Sequence, residues 1–200
     1  GHAAGLAVST GTNNTLIGGL AGDALTTGSY NTAVGYLALS NEDGHGQNVA
    51  VGTFALANQN AGANALNVAV GYNAGAGIST GIQNTIVGGF AGDAITEGDY
   101  NIAMGYNALT SLNTGADNVA IGVNAGGALT TGTRNVAIGN YALDNEDAHG
   151  KNVAIGYAAL TAQDAGTDAY NIAVGYNAGK LVSTGVQNVL IGGLTGDALT

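Results

Sequence analysis

The pentad Asn-x-x-x-Gly, most often with Ala at its centre, begins at Asn14, Asn31, Asn48, Asn67, Asn84, Asn101, Asn118, Asn135, Asn152, Asn171 and Asn188. Successive copies lie 17 residues apart, except for two steps of 19 after Asn48 and Asn152. A coarser period lies over the finer one: Asn31, Asn48, Asn67 and Asn84 recur 104 residues later as Asn135, Asn152, Asn171 and Asn188. Units this short cannot bury a hydrophobic face alone, so they must stack on one another.

Counted from the Asn as zero, position +1 is β-branched and +3 apolar in all eleven units, +4 is always Gly, and +2 is Ala in eight. That pattern predicts a short strand ending at a glycine turn. Position +14 is usually Gly (Gly28, Gly81, Gly98, Gly132, Gly185) and marks a second corner. No helical periodicity intervenes to supply the crossover of a βαβ unit. The expected class is all-β: a parallel β-solenoid, or β-roll, of 17- and 19-residue coils occupying 1–200 as a single segment of a longer fibre. Stacking at about 4.8 Å per coil predicts a rod of roughly 55 Å.

Composition agrees with a folded but non-globular chain. There are 36 Gly, no Pro and no Cys, yet 46% of residues are hydrophobic, which disfavours disorder. Net charge is −10, and Arg134, Lys151 and Lys180 are the only Lys and Arg residues. Three scattered cations cannot neutralise a phosphate backbone, so no nucleic-acid partner is expected. Nor is attraction to an anionic membrane, and no apolar run reaches the length of a spanning helix.

The variable columns suggest packing. Leu16, Ile86 or Leu190 at +2 accompanies Gly at +5, whereas Ala at +2 usually accompanies a larger residue, often Tyr, at +5. This reads as volume exchanged within one packed space. A similar exchange links +8 and +11, where Leu39, Leu56, Leu143 and Leu160 go with Glu42, Gln59, Glu146 and Gln163. All 16 charged residues lie between +9 and +16. With +1 and +3 turned inward, the +2 side is expected to present Ala33, Tyr36, Ala69, Tyr72, Ala103, Tyr106, Ala154, Tyr157, Ala173 and Tyr176 to partner chains. A side-by-side homotrimer would cover this stripe. The eleven Asn residues are expected to form a structural ladder from coil to coil. The alternative is a saccharide-binding module that uses the Tyr column or the acidic turns on glycans, and a third expectation is an extracellular filament that the chain forms by self-assembly.

At this point the pattern resembles the head repeats of trimeric autotransporter adhesins, the YadA-like left-handed β-roll, whose strand reads roughly S-V-A-I-G. Here it stands as Asn118-Val119-Ala120-Ile121-Gly122 and Asn152-Val153-Ala154-Ile155-Gly156. Similar repeats occur in phage tail fibres. The resemblance implies three chains side by side, an extracellular, cell-surface or virion location, and attachment to a host-surface receptor or glycan. Two departures are the longer repeat and Asn in place of the common Ser.

Motifs for chemistry are sparse, and no enzyme is expected. Gly77-Ile78-Ser79-Thr80-Gly81 matches a nucleophile-elbow string, but equivalent coils read Ala7-Val8-Ser9-Thr10-Gly11 and Leu181-Val182-Ser183-Thr184-Gly185, and no strand-to-helix turn surrounds it. Glu42, Asp43 and His45 recur as Glu146, Asp147 and His149. Carboxylates beside an imidazole are metal-ligand types, and oxygen-rich turns suit calcium. The plainer expectation is a solvated outer turn with no cofactor. His2, at a Tyr-type position, is expected to pack.

Overall fold

In a computed structural model describing residues 1–199, the chain winds into stacked coils, each contributing one three-residue strand. These are β1 Thr15–Ile17, β2 Thr32–Val34, β3 Val49–Val51, β4 Val68–Val70, β5 Thr85–Val87, β6 Ile102–Met104, β7 Val119–Ile121, β8 Val136–Ile138, β9 Val153–Ile155, β10 Ile172–Val174 and β11 Val189–Ile191. They form one parallel sheet in chain order, paired in strict register, so that Ala33 lies beside Ala50 and Ala50 beside Ala69. The sequence columns are therefore spatial columns. The β-solenoid is as the periodicity predicts. The two longer steps occupy turns and leave the register undisturbed.

The Gly at +4 is obligatory because neighbouring coils approach backbone to backbone there. A Cβ on Gly35 would lie 2.4 Å from the Gly52 carbonyl oxygen, and one on Gly105 would lie 2.5 Å from that of Gly122. Other corners use side-chain-bearing residues at positive φ. The residue before each Asn is left-handed, including Tyr30, Leu66, Arg134 and Lys151, and so is position +6, including Phe54, Asn107 and Tyr141. The left-handed region is uncommon for such residues. It persists because coil-to-coil hydrogen bonds on both sides over-determine the path, as with Gly35 N–H to Ile17 O and Leu37 N–H to Gly19 O. The residue before each Asn, and not the Asn itself, therefore takes the left-handed corner.

The core lies between the sheet and the turns opposite, and it reverses the expected facing of the strand. Ala33, Ala69, Ala103, Ala154 and Ala173 are fully buried within the single chain, while Ile102, Met104, Val70 and Ile121 are exposed. The alanines therefore belong to the core and not to a surface offered to partners. Space decides this. Ala at +7 and Leu, Ile or Val at +8 or +11 already fill the coil, leaving room for a methyl group at +2. The longer β-branched side chains must then point outward. Where +2 is larger, the compensating glycine is at +8. A Cβ on Gly22 would lie 2.8 Å from both Leu16 and Leu25, and one on Gly92 would lie 3.1 Å from Ile86 and 2.8 Å from Ile95. The exchange is among +2, +8 and +11. The +5 position lies outside, with Tyr36, Tyr72, Tyr106, Tyr157 and Tyr176 about half exposed.

Candidate functional site

The Asn column is a continuous rung system along one buried corner. The Oδ1 of each Asn accepts the backbone N–H of the next: Asn14 from Asn31 at 2.9 Å, Asn31 from Asn48 at 3.1 Å, and so on to Asn171 from Asn188 at 2.8 Å. In eight of the eleven, Asn48, Asn152 and Asn188 being the others, the Nδ2 turns back across its own coil to the carbonyl at +14, as in Asn84 to Gly98 at 2.8 Å and Asn101 to Gly115 at 2.9 Å. The rungs are thus mainly side chain to backbone. Each bond contributes about 1 kcal/mol net, but leaving one of these buried groups unpartnered costs about 1–3 kcal/mol.

Four coils carry Leu at +8 and a Glu or Gln at +11, and there the polar side chain turns inward beneath the next Asn. Gln59 and Gln163 are fully buried and satisfied at both ends. The Oε1 of Gln59 accepts Asn67 Nδ2 at 2.6 Å, and its Nε2 donates to Ser79 O at 3.3 Å. Gln163 repeats this with Asn171 at 2.6 Å and Ser183 O at 3.2 Å.

Glu42 and Glu146 occupy the same place and are also fully buried, which corrects the expectation of a solvated turn for these two carboxylates. Asp43 and Asp147 do face water. Oε1 of Glu42 accepts the His45 backbone N–H at 3.0 Å and lies 3.8 Å from His45 Nδ1. The corresponding distances for Glu146 and His149 are 3.2 and 3.7 Å. Oε2 of Glu146 receives a long 3.4 Å bond from Asn152, whereas Glu42 Oε2 and Asn48 Nδ2 both lack partners. Burial pushes both carboxyls above the ordinary 4.5, against the lowering pull of the His backbone bond and then of the imidazole. In each turn the Glu, Asp and His donor atoms lie within 4.8 Å of one another.

The outer face of the sheet is a different surface. Its +1 and +3 side chains form an uncharged stripe along the rod, bordered by aromatic rings at +5 and +6. Tyr36, Phe54, Tyr72, Phe90 and Tyr106 make an edge-to-face series with centroids 5.2–6.2 Å apart. After a gap at Val123 and Asn124, Tyr141 meets Tyr157 edge-to-face, and Tyr157 stacks parallel on Tyr176. Tyr30, Tyr100 and Tyr170, just before their strands, are also about half exposed or more. Sequence reasoning passed over them, although their shared place before an Asn was visible. At the gap, Asn107, Thr110, Asn124, Gly127, Asp144 and Asn145 line an open cleft of about 290 Å³.

The remaining motifs resolve into scaffold. Ser79 Oγ donates to Thr96 O at 3.1 Å, as Ser9 does to Thr26 O at 3.0 Å, so the elbow-like serine belongs to the coil-to-coil bonding. His2 is exposed, contrary to its expected packing, because +5 lies on the outer surface. No helix among the described residues is long and apolar enough to cross a membrane. No family model, curated protein or solved structure matches this chain.

Proposed function

We propose that this chain is a structural, adhesive segment of an extracellular fibre at a cell or virion surface, packed side by side in threes, with no catalytic role. The uncharged outer face of the sheet carries this reading. It runs the whole length of the rod at a constant register and bears exposed Ile17, Val70, Ile102, Met104, Ile121 and Ile172. At about 50 Å by 10 Å the strand face offers roughly 500 Å², and the tyrosines beside it widen the strip toward the 800 Å² or so per partner of a standard interface. Apolar patches of that extent on soluble chains mark interaction sites. Three-fold packing would cover every coil alike and leave the charged turns in water.

The partner-facing residues proposed are +1, +3 and the tyrosines, not the buried alanines. Adjacent substitutions separate the two ideas. Val70→Asp with Ile121→Asp should yield a folded, dissociated chain by light scattering and circular dichroism. Ala69→Asp should unfold its coils instead, because it buries a charge. A wild-type chain that is a stable monomer at micromolar concentration overturns the assembly.

A second reading, a saccharide-binding module, is favoured by the cleft at the break in the aromatic series. Its amides, hydroxyls and the Asp144 carboxylate suit a polyhydroxylated ligand, and Tyr141 stands in the neighbouring position of the Asn124 column. Glycan binding lost in Asn124→Ala and Tyr141→Ala, with assembly intact, would support it. A blank glycan array would leave the plain shaft.

A further inference from the structure

The acid turns differ from the amide turns in one respect that ordinary solenoid packing does not explain. Each leaves buried polar atoms without partners. Glu42 is fully buried with Oε2 unpartnered, and the Nδ1 atoms of His45 and His149 are likewise enclosed and unpartnered. Each Glu is a carboxylate enclosed by the fold, and no Lys or Arg pairs with it. The His Nδ1 faces the Glu Oε1 at 3.8 Å in one turn and 3.7 Å in the other.

We propose that Glu42–Asp43–His45 and Glu146–Asp147–His149 are two equivalent sites for a first-row divalent cation of the zinc type. An ion about 2.1 Å from each ligand bridges donors separated by up to roughly 4.2 Å, so one ion fits between His Nδ1 and Glu Oε1. The exposed Asp carboxylate, with its donor atom within 4.8 Å, reaches the same ion by side-chain rotation. An imidazole nitrogen in the set favours zinc-like ions over calcium, which takes oxygen ligands. The turn backbone is already held in place. Thr26 Oγ1 donates to Asp43 O at 2.8 Å and Asn31 Nδ2 to His45 O at 3.1 Å. Thr130 with Asp147 O and Asn135 with His149 O repeat the pair at 2.8 and 3.1 Å. The ion would supply the missing positive charge to the buried carboxylate and occupy the imidazole Nδ1, with the ring proton on Nε2. The proposal does not depend on how the rods assemble.

The test is a calorimetric titration of chelator-treated full chain with zinc chloride and separately with calcium chloride, with thermal unfolding followed alongside. Two zinc ions per chain and a raised melting temperature are expected. Glu42→Gln or His45→Gln should leave one site. Glu42→Gln with Glu146→Gln should leave none, with an unchanged circular dichroism spectrum, since Gln59 and Gln163 already show that glutamine fits this place. Absence of saturable zinc uptake, undiminished uptake by the double Glu variant, or preference for calcium would each overturn the assignment.

Discussion

Two adjacent turns of the rod place different side chains at one position: Glu42 beneath Asn48, and Gln59 beneath Asn67. The amide has a donor and an acceptor and meets one of each, Ser79 O and Asn67 Nδ2. The carboxylate has acceptors only and meets a single close donor, the His45 N–H, while Asn48 Nδ2 is left over. The same pair recurs 104 residues on with Glu146 and Gln163. A neutral polar group can thus be a strut inside a thin solenoid, whereas a charged one in the same place is unfinished without a proton or a cation.

The sharpest way to break this comparison is at the Asn rungs above the two turns. Asn67→Ala would strand the Gly81 carbonyl, Gln59 Oε1 and the Asn84 N–H, and should cost roughly 3–5 kcal/mol. Asn48→Ala strands chiefly the Asn67 N–H and should cost about 1–2 kcal/mol. Denaturant unfolding of both variants checks the ordering, and equal losses would dissolve the distinction.

Exchanging the turn residues should give a smaller effect. Gln59→Glu removes the donor to Ser79 O and buries a charge, and should destabilise by about 2 kcal/mol at pH 7. Acidification should restore much of that loss, followed by melting temperature against pH.

Glu42→Gln with Glu146→Gln, in metal-free buffer, should do the reverse and stabilise the chain at neutral pH, by less than the loss in Gln59→Glu. The sign follows from the raised carboxyls. Between the ordinary 4.5 and the higher folded value, the folded chain holds more protons than the unfolded chain. The stability these groups contribute is full below 4.5 and is lost as pH rises through the folded value. Wild type should therefore lose stability from these two groups on going from pH 4.5 to neutrality, and the double variant should show a flatter profile.

The smallest change should come from Lys151→Gln, which makes the second acid turn match the first, where Gln47 stands. Lys151 pairs with Asp168 at the surface, and its ring partner Tyr170 is half exposed. The melting temperature should stay within measurement error, because exposed pairs are screened by water and salt. A clear loss would show that Lys151 supports the turn.

The acid turns were legible as residues but not as an environment. Spacing alone put Glu42, Asp43 and His45 together, and the 104-residue repeat marked them twice. That Glu is enclosed while its neighbour Asp faces water depends on which way a corner turns. The corner residues, such as Gln47 and Lys151, are left-handed without being glycine and so give no signal in the sequence. The facing of the strand was misread for a related reason. Period-two alternation separates +2 from +1 and +3 but does not say which set is inside. The signal that could have decided it was the matching of Leu16, Ile86 and Leu190 with Gly22, Gly92 and Gly196.

By itself the sequence determined the architecture: all-β coils of 17 and 19 residues, one short strand per coil, a glycine where coils meet and an Asn at every turn of the rod. Those follow from repetition, because identical units stacked in register must place identical residues together. Only the tertiary structure decided inside and outside. A coil this thin has room for one layer of leucines. Once +8 or +11 supplies that layer, the sheet can turn only methyl groups toward it at most rungs, and its β-branched residues face out.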